Sequence, residues 1–308
     1  MTGPGTPKGS QIGETMDDNQ KPNLDEIRRL VESALEEDDA FSDATTAYLN
    51  IGNKTVNARI VAKADGVIAG LDTAMLAFDL LDPATRFDPA VADGARVTRG
   101  DIVTSIGGKA AAVLGAERVA LNFLQRLSGV ATLTAAYVNA VSGTDTKILD
   151  TRKTTPLFRR LEKYAVRMGG GENHRFSLGD MLLVKENHFR SLGGADRFVD
   201  HIANVAPPLG IEVEVDSIEF LRELLGAPVD RIMLDNFTPG EVVTAVKIVA
   251  DYRKNHADFN PAIEVSGGIT LATIQDFAAP GVDYISVGAL THSAPSLDLS
   301  LEVLFDGQ

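Results

Sequence analysis

The sequence predicts an α/β protein in which a small N-terminal α/β domain precedes a larger domain built on a parallel sheet. Three observations carry this. From Val56 to Ala112, short β-rich pieces separated by Gly, Asp and Pro surround one apolar helix, the pattern of a small mixed domain. Ala111 to Ala140 then reads as one long helix. After it, short strands ending in polar residues alternate with helical segments six times, and β-then-α units in series imply a parallel sheet buried on both faces.

Each element follows from its local pattern. Leu24, Ile27, Leu30, Val31 and Leu35 share one face of a first helix. Strands are expected at Ala58–Lys63, Val67–Gly70 and Ile102–Ile106, with a helix over Asp72–Leu81. In the long helix, Val119, Ala120, Phe123, Leu124 and Leu127 form a buried stripe, and Ser128-Gly129 suggests a break. The parallel strands are drawn at Thr146–Asp150, Met181–Lys185, Ile211–Asp216, Arg231–Asp235, Ala262–Ser266 and Tyr284–Gly288. Domain limits fall at 24–128, which includes the start of the linking helix, and at 129–290. Residues 291–308 form a C-terminal segment expected to pack back on the N-terminal domain. Residues 1–23, polar and rich in Gly and Pro, read as a disordered tail without the apolar stretch of a secretion signal.

Composition narrows the function. A chain of 308 residues that is 44% hydrophobic can bury a barrel-sized core plus a smaller partner. No apolar run approaches the roughly 20 residues that cross a bilayer. Cysteine is absent, which excludes disulfides and thiolate metal sites and leaves a cytoplasmic enzyme as the expectation. The formal net charge of -14 argues against nucleic acid and anionic membranes as partners. Against that background, residues 151–190 hold nine Lys/Arg and four Asp/Glu. A basic pocket in an acidic protein points to a small multivalent anion.

In a parallel α/β sheet the ligand sits at the carboxyl ends of the strands. Those ends carry Arg152 and Lys153, Lys185, Glu214 and Asp216, Asp235, Ser266 to Gly268, and Gly288. An arginine can grip a carboxylate or phosphate with two parallel hydrogen bonds, and Arg118, Arg152 and Arg175 lie near element boundaries. Any single arginine is more often a solvated surface charge. Arg152 directly follows a strand, whereas Arg118 sits on the long helix and reaches a site only if another domain or subunit delivers it.

Thr155-Pro156 reads as an N-cap and first-turn proline, opening a helix with Leu157, Leu161, Tyr164, Ala165 and Met168 inside. Gly169-Gly170-Gly171 exceeds what one helix stop requires and suggests a loop that moves or approaches a ligand. Ser266-Gly267-Gly268 and Gly288, at two successive strand ends, suit a phosphate held by backbone N–H groups. Glu212, Glu214 and Asp216 point to one side of their strand, and Asp235 occupies the equivalent place on the next. These acids suit a sugar hydroxyl, a magnesium shell or a cationic centre. The five histidines lack zinc-like spacing, and His201, His256 and His292 read as incidental.

Several ordered motifs together resemble one family. These are Glu117–Thr132, Asp150–Pro156, Glu162–Arg167, Gly169–Arg175, Val184–His188, Glu212–Glu214, Ile232–Phe237 and Glu264–Ile269. They resemble quinolinate phosphoribosyltransferase, over about Leu24 to the end. The resemblance implies an N-terminal α/β sandwich domain joined to an incomplete parallel α/β barrel, in a homodimer. It implies that quinolinate and phosphoribosyl pyrophosphate react, with decarboxylation, to give nicotinate mononucleotide for NAD biosynthesis. By correspondence, Arg118 crosses the dimer interface. Thr151, Arg152, His174, Arg175 and Lys185 hold quinolinate. Lys153 and Lys185 lie near the phosphoribosyl donor, Glu214 and Asp235 face its ribose and Mg2+, and Ser266, Gly267, Gly268 and Gly288 cradle the 5-phosphate. Leu157 departs from the family, which usually has glycine after the proline.

Other readings are a relative acting on a different base, a Schiff-base lyase using Lys153 or Lys185, and a non-catalytic anion-binding protein. The three arginines favour a dicarboxylate. An aldolase does not need so many, and Glu214 and Asp235 count against the third reading.

Overall fold

The computed structural model describes residues 22–205, 207–278 and 280–304. The expected tail therefore lies outside the described residues except for its last two positions. Two compact units are present: one comprises residues 22–174, 269–275 and 286–304, and the other residues 175–268 and 276–285.

The first unit opens with α1 (Leu24–Glu37), whose Ile27, Val31 and Leu35 are buried and whose Asn23 caps the first turn. Next come α2 (Ala44–Tyr48), β1 (Thr55–Ala62), β2 (Gly66–Val67) and α3 (Leu71–Leu81). They are followed by β3 (Arg86–Pro89), β4 (Arg96–Val97), β5 (Ile102–Lys109) and α4 (Ala110–Ala140). Then come β6 (Lys147–Leu149) and α5 (Arg159–Met168).

The other unit contains β7 (Leu182–Val184), α6 (Glu186–Leu192), α7 (Ala195–Asn204), β8 (Ile211–Val215) and α8 (Ile218–Glu223). It continues through β9 (Arg231–Asp235), α9 (Pro239–Arg253) and β10 (Ala262–Ser266). Three elements follow near the end: α10 (Ile274–Phe277), β11 (Tyr284–Ser286) and α11 (Ala289–His292). The last strand is β12 (Leu299–Leu304).

The N-terminal sheet has the order β12-β1-β5-β3. Its edge is the end of the chain: β12 pairs antiparallel with β1, with Ala58 opposite Val303 and Ile60 opposite Leu301. Glu302 of that edge accepts from Lys63 at 2.6 Å and Arg59 at 3.0 Å.

Helix α4 is unbroken, contrary to the expectation at Ser128-Gly129. Ser128 accepts from the Ala69 N–H at 3.0 Å, and a Cβ at Gly129 would lie 2.0 Å from the Pro295 carbonyl oxygen. The pair marks a close approach, where small size and one polar contact are needed, and the helix continues through it.

The larger sheet has the order β6-β11-β10-β9-β8-β7, and its strands from β7 through β11 pair parallel. A doubly wound sheet would reverse its order at a switch point. Here the order runs one way from β7 to β11 and then returns to β6, the order of an α/β barrel left open between β6 and β7. Its strands are Val/Ile/Leu-rich and buried, as parallel strands covered on both faces must be. Among the described residues no helix is long and apolar enough to cross a membrane.

Candidate active site

Within the first unit, the site begins where β6 ends. Asp150 is fully buried. The next four residues form a turn fastened through its backbone. Thr151 Oγ accepts from the Lys153 N–H at 3.1 Å, the Thr154 N–H donates to the Arg152 carbonyl at 3.0 Å, and the Thr291 hydroxyl donates to the Lys153 carbonyl at 2.8 Å. Pinning the backbone in this way leaves the Arg152 and Lys153 side chains for other partners. The buried Nε of Arg152 has no hydrogen-bond partner among the described residues, and Lys153 is exposed. A Cβ at Gly288 would meet Lys153 Cδ and His292 Nε2, each at 3.2 Å. Glycine there lets the lysine stem pass against the strand end.

The far end of the turn is held by Glu162, which is fully buried on α5. Its carboxylate accepts from the Thr155 N–H at 3.0 Å and the Thr155 hydroxyl at 2.9 Å, and from Arg126 Nη2 at 2.7 Å. Arg126 also donates to the carbonyls of Ala294, at 2.8 Å, and Thr291. Thr155 therefore does not cap α5. That helix begins three residues later than expected, with Phe158 before its first turn. Leu157 adopts φ 66, a left-handed conformation that interrupts any helix started at Pro156. Leu157 is 90% exposed, not part of the inner face.

The three glycines after α5 each have a separate cause. Gly170 has φ 88, while Cβ atoms at Gly169 and Gly171 would meet the Ala131 carbonyl at 2.4 Å and Thr134 Cγ2 at 2.8 Å. They bring the chain against α4, and no ligand is needed to explain them. The chain then runs beside β6, with the Glu172 N–H donating to the Ile148 carbonyl at 2.8 Å, and delivers His174, which is 8% exposed. Arg118 stands on the exposed face of α4. Among the described residues no hydrogen bond or ion pair joins it to the turn at 151–153.

The other unit carries a second set, at its strand ends except for Arg175, which precedes β7. Arg175 Nη1 donates to the Met181 carbonyl at 2.9 Å. Lys185 Nζ pairs with Glu214 at 2.5 Å, with side-chain exposures of 46% and 20%. Along β8 and one residue past its end, Glu212 is buried, Glu214 half-buried and Asp216 exposed. The gradient shows which acid meets solvent at the rim. Asp235 lies in register with Ser266 and accepts from Asn236 Nδ2 at 2.7 Å. Gly267 has φ 102, and a Cβ there would fall 2.2 Å from Asn236 Oδ1. Glycine is thus required on both conformational and steric grounds.

Below the rim, Glu212 and Glu264 flank Arg231, whose Nη1 donates to Glu264 at 2.8 Å. Burial pushes the Glu212 carboxyl up, and the Arg231 guanidinium opposes that shift.

Arg126, Glu162, Lys163 and Asn173 lie within motifs read in the sequence but received no role there, and Thr291 lay outside them. Glu162 and Lys163 lie on a helix in which residues 161–166 are all buried, so no polar-face pattern separates them from solvent-facing charges. The cleft of about 490 Å³ between α1 and α4 includes Arg126, Thr155 and Phe158 but none of Arg152, Lys153 and His174.

The fold defines a parallel α/β-barrel protein, with cationic side chains following strands in each unit. Residues 130–302 match the family described as quinolinate phosphoribosyl transferase, C-terminal domain, and residues 43–128 match its N-terminal domain. The chain belongs to the quinolinate phosphoribosyltransferase family. It is 41% identical over 273 residues to a protein of Synechocystis named probable nicotinate-nucleotide pyrophosphorylase [carboxylating], covering 88% of this chain and 90% of that one. It is 40% identical to the nicotinate-nucleotide pyrophosphorylase [carboxylating] of Mycobacterium leprae, covering 91% and 98%. The solved nicotinate-nucleotide pyrophosphorylase of Francisella tularensis superposes with a TM-score of 0.84 at 37% identity, covering 92% of this chain and 98% of that one.

Proposed function

We propose that the protein transfers phosphoribosyl from phosphoribosyl pyrophosphate to the ring nitrogen of quinolinate, with loss of CO2, giving nicotinate mononucleotide and pyrophosphate as a cytoplasmic homodimer in NAD biosynthesis. The observation that carries this reading is the set of cations in a chain matching both family domains: Arg152 and Lys153 after β6 in one unit, and Lys185 after β7 with Arg175 ahead of that strand in the other. Quinolinate carries two carboxylates and its co-substrate a pyrophosphate and a phosphate, so both need cationic partners. In this assignment Thr151, Arg152, His174, Arg175 and Lys185 receive quinolinate, joined by Arg118 from a second copy. Lys153 with Ser266, Gly267, Gly268 and Gly288 receives the phosphates.

As the ring nitrogen bonds to C1 of the ribose and pyrophosphate departs, positive charge develops on the sugar. Glu214 and Asp235 stabilise it. Once the nitrogen is quaternised, the ring holds the electron pair left when the adjacent carboxylate leaves as CO2, and a proton replaces it. The protein contributes positioning and electrostatics.

Glu214 and Asp235 are half-buried oxygen donors near the rim, the chemistry Mg2+ takes. Bound there or through water, Mg2+ would neutralise the pyrophosphate as it leaves.

Incubation with quinolinate, phosphoribosyl pyrophosphate and magnesium tests the reading, with nicotinate as the parallel substrate. Equal amounts of CO2 and nicotinate mononucleotide from quinolinate alone are expected. Product from nicotinate instead, or from neither acid, would overturn it. Arg152→Ala should lower turnover by on the order of 10²–10³, the scale for one preorganised charge partner, and near-normal turnover would refute the role given to Arg152.

A further inference from the structure

We propose that Lys163, a residue assigned no substrate contact, positions His174 for quinolinate by holding its backbone carbonyl directly and its backbone N–H through the Asp150 carboxylate. The inference rests on the assignment of His174 to quinolinate. Lys163 Nζ donates to the His174 carbonyl at 2.9 Å and to the Asp150 carboxylate. The same Asp150 oxygen accepts from the His174 N–H at 3.0 Å, and its other oxygen accepts from Asn173 Nδ2 at 2.6 Å. Asn173 Nδ2 also reaches the Lys163 carbonyl at 2.9 Å. Three segments are thereby tied to one point: the end of β6, the middle of α5 and the strand-like stretch that ends at His174.

The energetics favour a positioning role over a stabilising one. Lys163 and Asp150 side chains are both fully buried, and removing two charges from water carries a desolvation cost that their attraction often only offsets. An apolar residue would fill the same place on α5 at lower cost. Burial raises the Asp150 carboxyl, and Lys163 is the largest of the groups that oppose it. What an apolar pair cannot supply is a set of directed bonds to the backbone donor and acceptor of one residue, and a binding side chain must be held within a fraction of an ångström.

The test is a double-mutant cycle on quinolinate affinity, read by titration calorimetry, with Lys163→Met, His174→Ala and the double variant. Lys163→Met should weaken quinolinate binding by about 10-fold to 100-fold, the scale for losing a group that orients a binding residue. Binding of magnesium phosphoribosyl pyrophosphate should change by less than about threefold. The double variant should bind quinolinate no worse than His174→Ala alone, because the two losses act through one side chain. Independent, multiplicative losses would overturn the proposal while leaving the assignment of His174 intact. Full quinolinate affinity in His174→Ala would instead remove that assignment, and the proposal with it. Should Lys163→Met fail to fold by circular dichroism, the half-buried Asn173→Ala carries the same cycle through the same carboxylate, with the same two readings.

Discussion

Leu157 shows how one side chain can sit against the preference of its own backbone. With φ 66 it occupies the left-handed region, where a Cβ costs roughly 1–2 kcal/mol. At 90% exposure it recovers almost nothing from burial. Leu157→Gly should raise unfolding stability by up to about 1 kcal/mol, less than the full strain because glycine also loses more freedom on folding. The change would appear as a higher denaturation midpoint at unchanged slope, and a lower midpoint would sink the argument. The same residue explains why the start of α5 was not legible. Thr-Pro is a good helix opening by local chemistry, but Glu162 takes both Thr155 donors. A competing partner seven residues away in the chain is invisible to a rule about the next three. Lys163 is a harder case, since a lysine on a helix reads as solvent-facing until the fold buries it.

Strands β8, β9 and β10 carry a charged layer beneath the rim, and it makes a prediction about pH. Glu212 faces Arg231 in register, with Glu264, Arg175 and Glu214 as its other charged neighbours. Burial raises its carboxyl above the ordinary value of 4.5. A raised acid takes up a proton on folding, so its contribution is fully present below the unfolded value and is lost as pH rises through the folded one. Glu212→Gln removes that dependence. Measured by urea unfolding, the variant should gain on the wild type between about pH 5 and about pH 8. An identical difference at the two pH values would show that Glu212 does not titrate in this window. These strands themselves were legible in sequence, because each is a short stretch rich in Val, Ile, Leu or Met that ends in a polar residue at Glu214–Asp216, Asp235 or Ser266. Their order around the sheet was not. Pairing β11 with β6 joins residues far apart in the chain, and no local pattern distinguishes that closure from a doubly wound sheet.

At the scale of the whole molecule, Arg118 is the residue whose role one chain does not explain. It lies exposed on α4, whereas its neighbour Glu117 has its carboxyl raised by partial burial, opposed by Arg118 itself. The motif around Arg118 was legible in sequence, but only the family resemblance, and no local pattern, implied a place across a dimer interface, because an exposed charge gives no sign of which surface it meets. If a second copy supplies it, a site needs Arg152 from its own chain and Arg118 from the partner. Arg118→Ala and Arg152→Ala homodimers should each be nearly inactive. When the two are mixed and allowed to exchange subunits, half of the dimers are hybrids, and each hybrid has one site with both arginines intact. Activity should then rise to about one quarter of the wild-type value, as two-fold symmetry dictates. An arginine acting within its own chain would give a different result. The chain lacking Arg118 and the chain lacking Arg152 would each keep its defect in every dimer, and exchange, verified by native mass spectrometry of the mixture, would leave activity at the level of the unmixed variants.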